Sequence, residues 1–542
     1  MRIKNILATC ALALSATASM AQSLSPSTKW HWQEGTIVVD TPQRPAGQQS
    51  VIGLTVPKMT TVRVGFVGLG MRGPGAVNRF CHIPGVEIVA LCDYEPGRAE
   101  ACQKYLREAG LAPATIYSGE TGYEKLCKRA DIDLVYVATD WDHHFPVAKC
   151  ALQNGKHTAI EVPSAMNLEQ CWELINLSEQ TRKHCMILEN CCYDYYEMNA
   201  LNMVQQGVFG EVLRGEGAYI HNLDDFWNYY WQNPDGSDKE GLHWRMKYNK
   251  ENRGDVYATH GLGPVAQCMN IHRGDRFTTL VAMDTKSSHG KEWVEKKTGK
   301  PCNDFRNGDH TTTLMRTAEG KVIEIQHNVM NPQPYNRLFK LVGTKGYATK
   351  YPEEHFALGA DAMAGTDAPQ VDKLNTHEFM NAQQQEALVK KYYHPILAKY
   401  GEQGREMGHG GMDFIMDSRL VYCLQNGLPL DMDVYDLAEW CSLAELGSLS
   451  MDHNCASVAF PDFTRGHWND QKGFRHAYAT AEQEAAQEAA AAASTQAQKD
   501  ATKAAKLWDL YKAQKDGNAK AVKAYQKAVA KYNKALTKAL AK

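Results

Sequence analysis

The sequence predicts an α/β chain: an N-terminal doubly wound parallel sheet of the Rossmann type, an α+β domain with a mainly antiparallel sheet, and a helical C-terminal tail. Three observations predict it. An apolar run, Val62–Val67, meets Gly68-Leu69-Gly70-Met71-Arg72-Gly73, and a second apolar run, Val86–Leu91, ends in Asp93. From residue 61 to 190, apolar runs of strand length alternate with helical stretches, and after Asn190 runs of period two replace them. From about Ala479 the composition shifts to Ala, Gln and Glu, then to Ala and Lys.

The 542 residues, 44% of them hydrophobic, allow two to four domains with sizeable cores. A formal charge of −3 gives no general electrostatic case for nucleic acid. Residues 1–21 carry Arg2 and Lys4, an apolar segment from Ile6 to about Leu14, and Ser19-Met20-Ala21 before Gln22. That layout is a signal peptide cleaved after Ala21, so an exported, periplasmic protein is expected. Cys10, preceded by Leu7-Ala8-Thr9, sits too early for a lipoprotein box. Past the leader no run of about 18 apolar residues occurs, so no membrane span is expected. The cysteines show no C-x-x-C spacing and read mostly as small buried apolar residues, with one or two bridges left open. Residues 22–60, rich in Ser, Thr and Pro, read as a lead-in segment.

Within residues 61–190, strands are expected at Val64–Val67, Val86–Leu91, Asp133–Ala138, His157–Glu161 and Cys185–Leu188. Helices are expected near Arg72–Cys81, Pro96–Ala109, Thr121–Arg129, Phe145–Gln153 and Leu168–Arg182. In the glycine-rich turn, Gly68 permits the tight bend, Gly70 lets backbone approach a pyrophosphate, and Gly73 lets the helix pack on the sheet. The helix N-terminus near Arg72 offers free N–H groups to that anion. Asp93 accepts hydrogen bonds from a ribose diol and repels a 2′-phosphate, which favours NAD(H) over NADP(H). Ligands of such sheets sit at the carboxyl ends of the strands, here Gly68–Gly73, Asp93, residues 139–144, Glu161-Val162-Pro163 and Glu189-Asn190. His143 and His144 do not suggest a metal, because adjacent histidines diverge and no third ligand lies nearby in sequence. Trp141 and a histidine instead shape the nicotinamide side.

The second domain, 191–475, opens with a helix near Tyr193–Gln206. Strands at Val212–His221, Thr311–Met315, Lys321–His327 and Leu338–Val342 follow, interrupted by aromatic inserts at Asp224–Trp231 and Gly241–Arg253. Trp227, Tyr229, Tyr230, Trp231 and Trp244 fit a buried core or a sugar-stacking surface equally well. Gly408-His409-Gly410-Gly411-Met412-Asp413 precedes helices near Phe414–Gln425 and Tyr435–Leu446. The tail, 476–542, holds twelve Lys against three Asp from Lys499 onward. Its apolar stripe, Leu507, Leu510, Tyr511, Val522, Tyr525 and Val529, is broken at Gly517. The expected form is a solvated, partly helical appendage, with an acidic partner surface as the alternative.

These signatures resemble the glucose–fructose oxidoreductase/inositol dehydrogenase superfamily, and within it glycoside hydrolase family 109. Gly-Leu-Gly-Met-Arg-Gly (68–73), Val-Ala-Leu-Cys-Asp (89–93), Trp-Asp-His-His (141–144), Glu-Val-Pro (161–163) and Leu-Glu-Asn-Cys-Cys-Tyr (188–193) carry the resemblance in the first domain. Tyr-Ala-Thr-His-Gly-Leu-Gly-Pro (257–264), Gln-Pro-Tyr-Asn (333–336) and Gly-His-Gly-Gly-Met-Asp (408–413) carry it in the second. Relatives that are dehydrogenases have lysine in a Glu-Lys-Pro at the end of the fifth strand. Val162 stands there instead and cannot relay a proton, which favours the hydrolase branch.

The resemblance implies a glycosidase that uses NAD without consuming it. Oxidation at C3 of the sugar acidifies C2, elimination breaks C1–O, water adds back, and C3 is reduced. No carboxylate pair of ordinary glycosidase spacing is then needed. The implied substrate is a glycan or glycoside ending in N-acetylhexosamine, with α-linked N-acetylgalactosamine leading. Implied NAD contacts are Met71, Arg72, Asp93, Trp141, Asp142, His143, His144, Glu161, Val162 and Asn190. Implied substrate contacts are Tyr219, Arg245, Tyr257, Ala258, Thr259, His260 and Tyr335. His260 is the leading acid/base and Tyr193 the second candidate. Ala258 replaces the family's usual proline and Gln333 its usual arginine, so a looser loop before His260 and a changed substrate-side contact are expected. An NAD-dependent sugar dehydrogenase of the parent superfamily is the alternative, a non-catalytic sugar-binding protein the third reading, and self-association is left open.

Overall fold

The computed structural model describes residues 28–229, 231, 232, 237, 239–498, 501–515 and 519–540, so the leader lies outside the described residues. The lead-in is not a bare linker. β1 (Trp30–Gln33) and β2 (Thr36–Val39) form a hairpin through Glu34 and Gly35, at φ 49° and 79°, the conformation a two-residue turn requires.

Six parallel strands then build the first sheet: β3 (Val62–Val67), β4 (Val86–Asp93), β5 (Thr115–Ser118), β6 (Leu134–Val137), β7 (His157–Ile160) and β8 (Cys185–Ile187), in the order β5-β4-β3-β6-β7-β8. Its inner strands are buried along nearly their whole length, as a sheet covered on both faces demands. The unexpected strand is β5, a four-residue edge element with no clear apolar alternation. The chain order reverses between β3 and β6, which opens a crevice at their carboxyl ends. The helix expected from Phe145 starts at Trp141, because the Asp140 side chain accepts from the His143 N–H and caps it.

The second sheet holds β9 (Val212–Ile220), β10 (Phe277–Asp284), β11 (Thr311–Thr317), β12 (Val322–Asn328), β13 (Asn336–Gly343), β14 (Gly346–Thr349), β15 (His355–Leu358) and β16 (Val458–Ala459). Its order is β1-β2-β16-β10-β11-β12-β9-β13-β14-β15. Most pairings are antiparallel, but β12 with β9 and β16 with β2 are parallel. The hairpin of the lead-in thus extends this sheet's edge. The helix Thr259–Cys268 lies directly on β9. A Cβ on Gly217 would stand 2.2 Å from the Gly261 carbonyl oxygen, and one on Gly261 would stand 2.3 Å from the Ala218 nitrogen. Glycine at both positions lets backbone meet backbone, which fixes where the first turn of that helix, and His260, can sit.

The tail is not a solvated appendage. The helices Ala501–Lys515 and Ala519–Leu540 pack on the first domain. Trp508 Nε1 donates to the Leu111 carbonyl at 3.1 Å, the Tyr525 hydroxyl to the Pro113 carbonyl at 3.1 Å, and the Tyr511 hydroxyl to Glu100 at 2.7 Å. The cysteines of the described residues are free, most of them buried. No described helix is long and apolar enough to cross a membrane.

Candidate active site

A cleft of about 1000 Å³ opens at the carboxyl ends of β3, β4, β6 and β7 and runs to a wall supplied by the second domain. The glycine-rich turn forms one end. Gly68 sits at φ +91°, and a Cβ there would lie 2.4 Å from the Ala138 carbonyl carbon. A Cβ on Gly73 would lie 2.0 Å from the Gly68 oxygen, so helix and turn touch. Gly70, by contrast, has only the Arg98 guanidinium near its missing Cβ, at 3.4 Å, and lines the cleft. The helix Gly73–Phe80 has no side-chain cap, which leaves its first N–H groups for an anion. Asp93 accepts from the Leu69 N–H at 2.5 Å and the Glu95 N–H at 2.8 Å, and is held at the rim of the cleft by these bonds. This is a pyrophosphate and ribose cradle, and the residues present fit NAD.

Arg72 ties the turn to two other elements. Its Nε donates to Glu161 at 3.1 Å and its Nη2 to Asp413 at 3.1 Å. Asp413 also accepts from Asn190 at 2.7 Å and lies within 3.4 Å of Arg79. Burial would raise the Asp413 carboxyl, but Arg72, His409 and Arg79 together hold it well below the usual range. Arg72 and Asn190 thus act through Asp413, locking the second domain against the cofactor cradle. The sequence left Asp413 and His409 without a role, although both stand in a quoted motif.

Trp141, His143, His144, Glu161 and Val162 line the cleft beside Met71. His143 Nδ1 lies 2.7 Å from Asp140, while His144 faces the Pro163 and Thr139 carbonyls at 2.8 and 3.1 Å. Asp142 is exposed on the outer side of that helical turn and does not line the cleft.

The second domain's wall is aromatic. Trp141 stacks on Tyr257 with ring centroids 5.6 Å apart, and Trp244 meets Trp141 edge-on at 5.2 Å. Trp231, Lys239, His243, Trp244 and Arg245 complete the lining. The two accounts of the inserted aromatics are therefore both true: Trp227 is fully buried core, whereas Trp231 and Trp244 face the cleft. The Tyr229 side chain and Tyr230 lie outside the described residues.

From Tyr257 the site continues as a chain of ring contacts, to His260 at 4.9 Å and Tyr219 at 4.6 Å, then from Tyr219 to Tyr335 at 6.5 Å. Tyr335 is 41% exposed and connects this group to solvent. His260 Nδ1 stands 2.7 Å from Glu189 Oε1, and Glu189 is 0% exposed. Burial would raise the Glu189 carboxyl; the imidazole beside it and the Cys191 N–H hold it below its ordinary value. A buried carboxylate on one ring nitrogen orients the ring and leaves Nε2 as the atom that can exchange a proton with a ligand. Glu189 is the third residue that sequence reasoning missed; it precedes Asn190 in a quoted motif, but only the fold shows its partner.

Three further expected site residues fall elsewhere. Tyr193 is buried with its hydroxyl donating to Asp431 at 3.0 Å, and Asp431 is paired with Arg419. Burial and Asp431 push this phenol well up, so it serves the core of the second domain and does not reach the cleft. Ala258 and Thr259 are buried behind the wall, around a small hollow shared with Pro163 and Trp440. Ala258 keeps helical backbone angles, φ −78° and ψ −15°, at the start of the Thr259–Cys268 helix, a φ that proline also adopts.

The family descriptions that match are "Oxidoreductase family, NAD-binding Rossmann fold" over residues 62–189 and "Glycosyl hydrolase 109, C-terminal domain" over residues 193–470. The chain is 70% identical to Glycosyl hydrolase family 109 protein 3 of Phocaeicola vulgatus over 545 aligned positions, covering 100% of this chain and 99% of that one. It is 57% identical to Glycosyl hydrolase family 109 protein 1 of Bacteroides fragilis over 465 positions, covering 85% and 96%. Among solved structures, a levoglucosan dehydrogenase in complex with NADH and L-sorbose shares the fold, with a TM-score of 0.55 at 18% identity over 74% of this chain and 100% of that one. With the nucleotide cradle, the oriented imidazole and these matches together, the chain belongs to glycoside hydrolase family 109 and is a glycoside hydrolase with an NAD-binding Rossmann domain.

Proposed function

We propose that this enzyme releases a terminal N-acetylhexosamine, with α-linked N-acetylgalactosamine as the leading substrate, by a redox-neutral sequence in which the cofactor is not consumed. One observation carries the reading: an imidazole oriented by a buried carboxylate, His260 with Glu189, stands beside a dinucleotide cleft, so an acid/base that can act on carbon lies next to a site for a redox cofactor.

Gly68, Gly70, the first turn of the Gly73–Phe80 helix and Asp93 would hold the dinucleotide. NAD⁺ bound there would supply the reversible oxidation of the sugar C3 hydroxyl, whose proton passes to solvent, and the resulting ketone makes the C2 hydrogen acidic. His260 Nε2 takes that proton, because Glu189 occupies Nδ1 and stabilises the imidazolium formed. Loss of the C2 proton lets the C1–O bond break by elimination, and water then adds across the C1–C2 alkene. Trp141 and Tyr257, 4% and 9% exposed and stacked on each other, form with Trp244 an apolar wall against which a sugar can lie. The inner carboxylates of the cleft support this sequence over direct displacement, since Glu161 is engaged by Arg72 and Asp140 by His143. The signal-peptide-like leader supports export, for which a retained cofactor is suited.

The test is incubation of the purified, NAD-loaded protein with an aryl α-N-acetylgalactosaminide and no added NAD⁺. Sustained aglycone release without net reduced nicotinamide is expected. Stoichiometric accumulation of NADH would instead make the protein a sugar dehydrogenase.

A further inference from the structure

Arg245 is 6% exposed, lines the cleft, and has no ion-pair partner among the described residues. What surrounds it is aromatic. Its guanidinium carbon lies 4.2 Å from the Tyr257 ring centre, 5.0 Å from Trp141, 5.6 Å from Phe226 and 5.8 Å from Tyr219. One Nη donates to the Tyr219 hydroxyl at 3.3 Å, and Nε is buried without a partner. Ring faces stabilise a buried cation without neutralising it. A guanidinium held this way keeps its full charge and unused donors for a ligand, at the cost of desolvation that an anion would offset.

The neighbours register the uncompensated charge. Burial, with the Arg245 charge second, brings His221 down to about 4 and His243 down to about 3, so neither adds a positive charge at neutral pH. Arg245 and His260 also share neighbours: both lie against Tyr219 and Tyr257. A base and a cation without an ion-pair partner among the described residues therefore lie against the same two rings.

We infer that Arg245, held in place by the Tyr219 hydroxyl, which also meets His221 Nδ1 at 3.0 Å, forms an oxyanion site that stabilises the enolate of the 3-keto sugar. This rests on the redox-neutral reading proposed above. The C2–H bond breaks with its proton going to His260, and the electron pair enters the C2–C3 bond as the C3 carbonyl oxygen becomes negative. Arg245 neutralises that oxygen. The pair then forms C1=C2 as C1–O breaks and the departing oxygen takes a proton. No further oxidant or reductant is required. Charge that develops only during the step gains most from a preorganised, dry cation.

A 1-deoxy N-acetylgalactosamine analogue, which cannot eliminate, separates the steps in D₂O. With NAD-loaded wild type, reduced-cofactor absorbance and exchange of the C2 hydrogen are both expected. Arg245→Gln should still bind NAD and give the absorbance while C2 exchange slows by about 10² to 10³ fold, and Arg245→Lys should slow it less. Unchanged exchange in Arg245→Gln would overturn the inference. So would loss of the absorbance with NAD still bound, which would make Arg245 a binding residue only. If wild type gives neither signal, the redox-neutral reading itself fails, and the inference with it.

Discussion

Replacing Glu189 with glutamine keeps the volume of the side chain and removes its charge. Glu189 is fully buried and its Oε1 is 2.7 Å from His260 Nδ1, so the charge centres of a carboxylate and an imidazolium there are about 4 Å apart. At an effective dielectric of about 20 that pair is worth about 4 kcal/mol, or about three powers of ten in a step that forms the imidazolium. Part of that is recovered, because the amide oxygen still accepts from Nδ1. A fall in kcat of about 10² to 10³ fold is therefore expected, with KM changed little and NAD still bound. The assay is steady-state aglycone release by Glu189→Gln, His260→Ala and the double variant. Residues acting as one unit are not additive, so the double variant should match His260→Ala alone. Additive losses, or a kcat within threefold of wild type for Glu189→Gln, would refute the assignment of Glu189 as the residue that positions His260.

Three other outcomes follow from the geometry. Gly68→Ala places a Cβ 2.4 Å from the Ala138 carbonyl carbon at a φ of +91°, so NAD retention through gel filtration should be lost, while retention like wild type would contradict the cradle. Burial pushes the Asp255 carboxyl up to about 7, so between about 4 and 7 the folded protein holds a proton that the unfolded chain lacks, and stability falls as pH rises through that window. Asp255→Asn removes that slope and should raise the free energy of unfolding at pH 8 more than at pH 5, by at most about 4 kcal/mol, with Tm rising in step; parallel Tm profiles for the two proteins would contradict it. Trp508→Ala, which removes a buried indole and its bond to Leu111, should cost about 3 kcal/mol of tail docking and expose residues 481–540 to limited proteolysis with glycoside turnover retained.

Much of this site is written locally. Gly68, Gly70 and Gly73 act within one turn and Asp93 ends the next strand, so their roles follow from spacing. The apolar runs of β3, β4, β6 and β7 are legible because a sheet buried on both faces leaves no alternation to misread. What the sequence did not disclose depends on partners distant in the chain. Glu189 meets His260 across 71 positions and Arg72 meets Asp413 across 341, and neither pairing has a periodicity. Tyr193 illustrates the opposite error: it adjoins Asn190 in sequence, yet its ring turns into the core toward Asp431. The tail's stripe correctly marked an apolar face, but the face it covers is on the first domain. The carbonyls of Leu111 and Pro113 that receive Trp508 and Tyr525 carry no sequence signature.

The central claim is that the glycosidic bond is broken by elimination after reversible oxidation, and the released sugar records it. When NAD-loaded enzyme cleaves the aryl N-acetylgalactosaminide in D₂O, the product should carry deuterium at C2, delivered from solvent, and its original hydrogen at C3, returned by the cofactor. A product with its original hydrogen at C2 would contradict the account and leave direct hydrolysis in its place.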